Sequence, residues 1–124
     1  MERPSILMRS ALLAVFLIGL VLAPALRADQ RGEARAQVEF GIKVAEKGLW
    51  KEALFRWEKA VELDPTYAAA YNNLAIAYEH DGRFDKAKQA YEKALELDPK
   101  STFIRQNYEF FKEINDRTGA RAAR

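Results

Sequence analysis

The chain has 124 residues, room for one small domain, and no cysteine. Without a thiol it has no disulfide framework, no thiolate metal site, no cysteine nucleophile and no cysteine-borne lipid anchor. Its 20 basic and 18 acidic residues leave a net charge of +2, and that excess falls within Met1–Ala28, where Arg3, Arg9 and Arg27 stand against Glu2; the balanced remainder argues against broad electrostatic binding of nucleic acid.

Met1–Ala28 differs in kind from the rest of the chain. Arg3 and Arg9 precede an apolar run, Ala11–Ala23, which Pro24 and a short small-residue segment close. A charged start, a short apolar core and a small-residue exit predict a secretory signal peptide over residues 1–28. An Ala-x-Ala site ends at Ala25; cleavage after Ala28 fits less well, because Leu26 stands where a small residue is preferred. The rival reading is a retained membrane anchor over residues 11–26. Arg27 ends that stretch short of the ~20 apolar residues a spanning helix takes. With Arg3 and Arg9 held inside, both readings export the rest of the chain, to the periplasm or the outside.

Residues 29–33 read as a polar connector, with Asp29 placed to cap a first helix from about Arg31 to Lys47. Trp50–Leu63 follows as a second helix, where Glu52 precedes Arg56 by four residues and forms a supporting pair. Tyr67–Asp81 and Phe84–Leu97 are the third and fourth. Gly48 and Gly82 supply the turns within the pairs, where a positive φ costs glycine little. Pro65 and Pro99 cannot sit inside a helix and push Asp64 and Asp98 out of the helical region. Ser101 is a good cap for a fifth helix over residues 102–117, Gly119 a plausible stop, and residues 118–124 a loose basic tail. Ile104, Tyr108 and Phe111 recur at helical spacing and should lie on the fourth helix. Arg105, Glu109 and Lys112 then face outward, as in a capping helix.

Trp50–Thr66 (WKEALFRWEKAVELDPT) overlays Phe84–Lys100 (FDKAKQAYEKALELDPK) at a constant offset, position 50 falling on 84 and position 66 on 100. The same offset joins Ala34 to Ala68, Ala36 to Ala70, Ile42 to Ile76 and Gly48 to Gly82. Self-similarity at a fixed period of this size marks stacked repeats. Small residues at Gly41/Ala53 and Ala75/Ala87 would let paired helices approach closely, and Trp50, Trp57, Phe84 and Tyr91 would fill the wider gaps.

These recurring small, aromatic and proline slots resemble the tetratricopeptide (TPR) repeat, with repeat one at 34–67 and repeat two at 68–101. The resemblance implies an all-α solenoid of two helical hairpins plus a C-terminal capping helix, preceded by the signal-peptide helix. In that family the first helices of successive hairpins line a concave groove. The positions so implied are Arg35, Val38, Glu39 and Ile42 in repeat one; Asn72, Asn73, Ile76, Glu79 and His80 in repeat two; and Phe103, Gln106, Asn107 and Phe110 in the cap. The amides among them can bond donor and acceptor of an extended peptide. Phe103 and Phe110 lie seven residues apart. They either cover the fourth helix or form an exposed apolar patch of the kind that marks an interface. Some members clamp acidic chaperone C-termini with lysine, arginine and asparagine. Only Asn73 matches that pattern here, with Val38, Ile42, Phe103 and Asn107 at other clamp positions, so that partner is not implied.

His80, the single histidine, has Glu79 and Asp81 beside it in sequence, but consecutive helical residues point in different directions. The helix-surface carboxylates form no acid–base pair, and there is no phosphate loop, zinc-protease helix or nucleophile elbow. The reading is a non-catalytic protein-binding module with no cofactor and no metal, similar to small exported TPR proteins that assist bacterial envelope assembly. A membrane-tethered assembly factor with a retained first segment is the second reading. A small hydrolase using Glu79 or His80 is the third. Two repeats fall short of the ~3 that usually suffice for independent stability, so self-association or partner support is expected.

Overall fold

The computed structural model describes the backbone of residues 6–122 and the side chains of residues 24–119, 121 and 122. The apolar run Ala11–Ala23, on which the signal-peptide reading rests, lies outside the described side chains. Among the described residues there are five helices and no strand: α1 Ile6–Glu46, α2 Trp50–Leu63, α3 Ala68–His80, α4 Phe84–Leu97 and α5 Thr102–Ala122. The expected spans of α2 and α4 hold, and α3 is one residue shorter at each end.

Local chemistry sets the breaks. Gly48 and Gly82 take φ of 79° and 73°. Each allows the next amide to reach back across the turn, Leu49 to the Val44 carbonyl at 2.9 Å and Arg83 to the Tyr78 carbonyl at 2.8 Å, satisfying two orphan acceptors. Asp64 and Asp98, each ahead of a proline, leave the helix at φ −139° and −138°. Ser101 caps α5, its Oγ accepting the Ile104 amide at 3.2 Å.

Two expected boundaries are absent. The backbone is helical through Asp29, so residues 29–33 are not a separate connector; Ala25, Leu26, Arg27 and Ala28 before it and Arg31, Glu33 and Ala34 after it are good helix formers. Helix α5 also runs past Gly119, so residues 118–122 are helical rather than loose. An exposed glycine costs a helix about 1 kcal/mol, which the Arg117–Glu113 pair and the following alanines offset, with no proline to force a stop.

The helices pack in sequence: α1 on α2, α2 on α3, α3 on α4, α4 on α5. In addition α1 touches α3 and α3 touches α5, whereas α2 and α4 do not meet. One row is thus closed up and the other splayed, which curves the stack so that α1, α3 and α5 line its inner side. Two apolar clusters hold it. The first joins Ala34, Val38 and Val44 of α1 to Ala53, Trp57 and Ala60 of α2 and Ala70, Leu74 and Ala77 of α3. The second joins Ala75 to Ala87, Ala90 and Tyr91 of α4 and Tyr108 and Phe111 of α5. Tyr91 lies 5.5 Å from Tyr108 and 5.6 Å from Phe111 between ring centroids, in the range where aromatic pairs contribute beyond their area.

Ile104, Tyr108 and Phe111 are buried, as expected of a capping helix. Trp57 and Tyr91 fill interhelix gaps as expected. Phe84 does not: it is about half exposed, sits in the first turn of α4 and among the described residues has only Phe111, 6.4 Å away, as an aromatic neighbour. Trp50 is half-buried, its indole stacked on the exposed His80 ring at 4.1 Å. That histidine therefore helps cover the edge of the stack.

Candidate interaction groove

Helical periodicity places residues four, seven and eleven positions apart on one face. On the inner side α1 presents Arg35, Glu39, Ile42 and Glu46, and α3 presents Ala69, Asn73, Ile76 and His80. Helix α5 presents Phe103, Asn107, Phe110 and Ile114. Each row lies one repeat period from the next, so Ile42, Ile76 and Phe110 form one file across the three helices. The file is apolar and open to differing degrees: Ile42 is 39 % exposed, Ile76 half-buried, Phe110 64 % exposed.

Most expected groove residues fall on this surface. Phe103 is as exposed as Phe110, so neither ring covers α4. Gln106, Arg35 and Glu39 are exposed, and Asn73 is half-buried, donating from Nδ2 to the Ala69 carbonyl at 2.8 Å. Two expectations are corrected. Val38 and Asn72 are 4 % and 2 % exposed and belong to the core. Val38 packs in the first cluster, and its carbonyl accepts the Trp57 indole N–H at 3.1 Å. Asn72 accepts from Asn107 Nδ2 at 3.0 Å, a polar clasp between α3 and α5. Both sit on the side of their helix that meets the next inner helix, which leaves no surface for a partner. Asn107, half-buried, contributes through that clasp.

Glu79 lies at the groove's lower edge. Burial raises its carboxyl pKa above the usual range, and a hydrogen bond donated by the Tyr91 hydroxyl opposes that rise. The same contact, with burial as the larger cause, pushes the Tyr91 hydroxyl far up. Tyr108 is raised to about 12, by burial first and then by Glu92, which accepts its hydroxyl at 2.9 Å. Both pairings tie neighbouring helices together, α4 to α3 and α5 to α4. Among the described residues no three histidine, aspartate or glutamate side chains converge as a metal ion would need. Ile114, 44 % exposed, belongs to the groove stripe and was not anticipated, although its spacing of four residues from Phe110 and eleven from Phe103 was legible.

Residues 68–101 match a family model described as tetratricopeptide repeat, and residues 44–82 match one described as TPR repeat. Over 49 residues, 40 % of this chain, the sequence is 39 % identical to an uncharacterized protein of Methanocaldococcus jannaschii. That match spans 57 % of the relative's length.

Proposed function

Because residues 44–101 are tetratricopeptide repeats, a protein-interaction motif, we propose that this protein is an exported, non-catalytic adaptor that holds a peptide segment or protein surface of another protein along its inner face. One observation carries the reading: the file Ile42–Ile76–Phe110, flanked by Phe103 and Ile114, is apolar, with Ile76 half-buried and the other four side chains exposed. Contiguous exposed apolar surface on a small protein marks an interaction site. The half-buried amides Asn73 and Asn107 border it and supply polar points of attachment.

The test is partner capture in the native compartment. A photo-crosslinking residue at position 42 is expected to trap one or a few defined proteins. Phe103→Ala with Phe110→Ala is expected to weaken capture while helical content holds, since both rings are exposed. Undiminished capture by that double variant would remove the groove reading.

Export is part of the proposal, supported by the signal-like pattern of residues 1–28. Residues 24–30 are all exposed, so both candidate cleavage points lie on an accessible stretch of helix. The second reading, a membrane-tethered factor, is favoured by the unbroken course of α1 from Ile6 to Glu46, through both candidate cleavage points. The mass of the mature protein decides between them.

A further inference from the structure

Among the described residues, the second half of α5 buries no side chain. Its buried side chains, Ile104, Tyr108 and Phe111, all lie within its first ten residues. Every described side chain from Glu113 onward is exposed, yet the helix continues to Ala122, 21 residues in all against 14 in α2 and in α4. Most helical stability in proteins comes from packing an amphipathic face, so an unsupported extension calls for a partner. The uncovered face is apolar along Phe103, Phe110 and Ile114, and helical periodicity continues that stripe onto Arg117 and Arg121.

We propose that this stripe is the interface with a second copy of the chain, two α5 helices pairing antiparallel about a two-fold axis near Phe110. Charge selects the orientation. Parallel pairing would set Arg117 and Arg121 against their own counterparts. Antiparallel pairing about Phe110 sets Arg117, seven residues beyond the axis, against Phe103 of the second copy, seven residues before it. A guanidinium on a phenyl face is favourable, and this chain already makes that contact, with Arg56 4.4 Å from the centre of the Phe40 ring and 5.6 Å from that of Phe55. The same arrangement carries Arg121 past Thr102, the first residue of the second copy's α5, toward the turn after α4 that holds the exposed Asp98. The two helix dipoles also oppose. A two-fold contact of this kind closes on itself and stops at a dimer.

One helix face per copy is at or below the low end of the ~1,200–2,000 Å² that stable interfaces bury, so the dimer is concentration-dependent. The inference goes beyond the groove reading and does not rest on it. It does bear on it, because Phe103 and Phe110 belong to both surfaces, and pairing withholds the α5 wall of the groove from a partner.

The absence of native cysteine makes single substitutions clean reporters. In the purified mature chain under mild oxidation, Phe110→Cys is expected to give a covalent dimer. Phe103→Cys is not, since fourteen residues of helix, about 21 Å, separate it from its own counterpart. The double variant Phe103→Cys with Arg117→Cys is expected to crosslink across the axis. Sedimentation of the unmodified protein should shift from one chain to two between micromolar and millimolar concentration, and Phe110→Arg should remain monomeric with unchanged helical content. A wild-type monomer throughout, equal crosslinking at positions 103 and 110, or a dimer that survives Phe110→Arg overturns the proposal. Crosslinking from position 42 on α1 reads the groove separately.

Discussion

The Trp57 indole occupies the space a side chain at Gly41 would need. A Cβ on Gly41 would lie 2.3 Å from Nε1 and 2.8 Å from two ring carbons. Trp57 is 2 % exposed and tied to the Val38 carbonyl, so it has no room to withdraw. Gly41→Ala is therefore an overpacking change at the α1–α2 contact. The expected loss is about 1–3 kcal/mol, read as a lower midpoint in urea with the slope preserved. A fall in the near-ultraviolet Trp signal should accompany it. An unchanged midpoint would mean that α1 sits farther from α2 than described.

The Asn72–Asn107 clasp is the one side-chain hydrogen bond that joins α3 to α5 among the described residues, and Asn72 is almost wholly buried. Asn72→Ala leaves Asn107 Nδ2 without its acceptor in a half-buried setting. The expected cost is about 1–3 kcal/mol in denaturant unfolding. Asn107→Ala, which strands the Asn72 carbonyl oxygen, should cost a similar amount. The double substitution should cost less than the sum of the two, because they share one interaction.

That clasp also shows where sequence reading stopped. Val38, Asn72 and Gln106 occupy the same slot in successive repeats. A linear frame assigns all three to the groove. In the folded stack the slot points at the next inner helix, so Val38 and Asn72 are covered, and Gln106 is exposed because no further helix packs on α5 among the described residues. Burial at this slot depends on a neighbour rather than on the residue. Helix order, the positive-φ glycines and the Ile104–Tyr108–Phe111 seam were legible because local chemistry or periodicity decides them. The continuation of α1 through Asp29 and of α5 through Gly119 was not. In both places a possible break had to be weighed against good helix formers on either side.

The tyrosines predict an alkaline limit. Tyr91 donates to Glu79 and Tyr108 to Glu92, and both hydroxyls are held above their ordinary value of 10.0, Tyr108 to about 12. A raised folded value means the neutral hydroxyl is favoured by folding. The stability it contributes is fully present below pH about 10 and is lost as pH rises toward about 12. Tyrosinate absorbance should show late ionisation of Tyr78, Tyr91 and Tyr108 among the five tyrosines, with Tyr91 ionising only as helicity is lost. Tyr108→Phe should lessen the loss of stability between pH 10 and 12. An alkaline limb identical to wild type would show that the Tyr108–Glu92 bond contributes nothing.

On the acid side two carboxylates act with opposite sign. Burial acts to raise Asp64, but hydrogen bonds from Arg31 and from the hydroxyl and amide of Thr66 outweigh it and hold the group below its ordinary value of 3.8. Arg31 also donates to the Thr66 hydroxyl at 2.9 Å and lies 4.8 Å from the Tyr67 ring, so it ties α1 to the turn after α2. A depressed folded value gives stability that is present above pH about 4 and lost as pH falls below it. Arg31→Ala should reduce stability at neutral pH and flatten the loss below pH about 4. The effect is small, because the Arg31 side chain is 40 % exposed and solvent screens the pair. Glu79 runs the other way. Burial raises its value above 4.5, so the folded state takes up a proton first and gains stability as pH falls through that raised value. Glu79→Gln should abolish this gain while keeping an acceptor for the Tyr91 hydroxyl. Thermal melting across the acid range distinguishes the two, since Arg31→Ala alters the limb below pH about 4 and Glu79→Gln the region above 4.5. Identical profiles for wild type and Glu79→Gln would place that carboxylate in solvent, away from Tyr91.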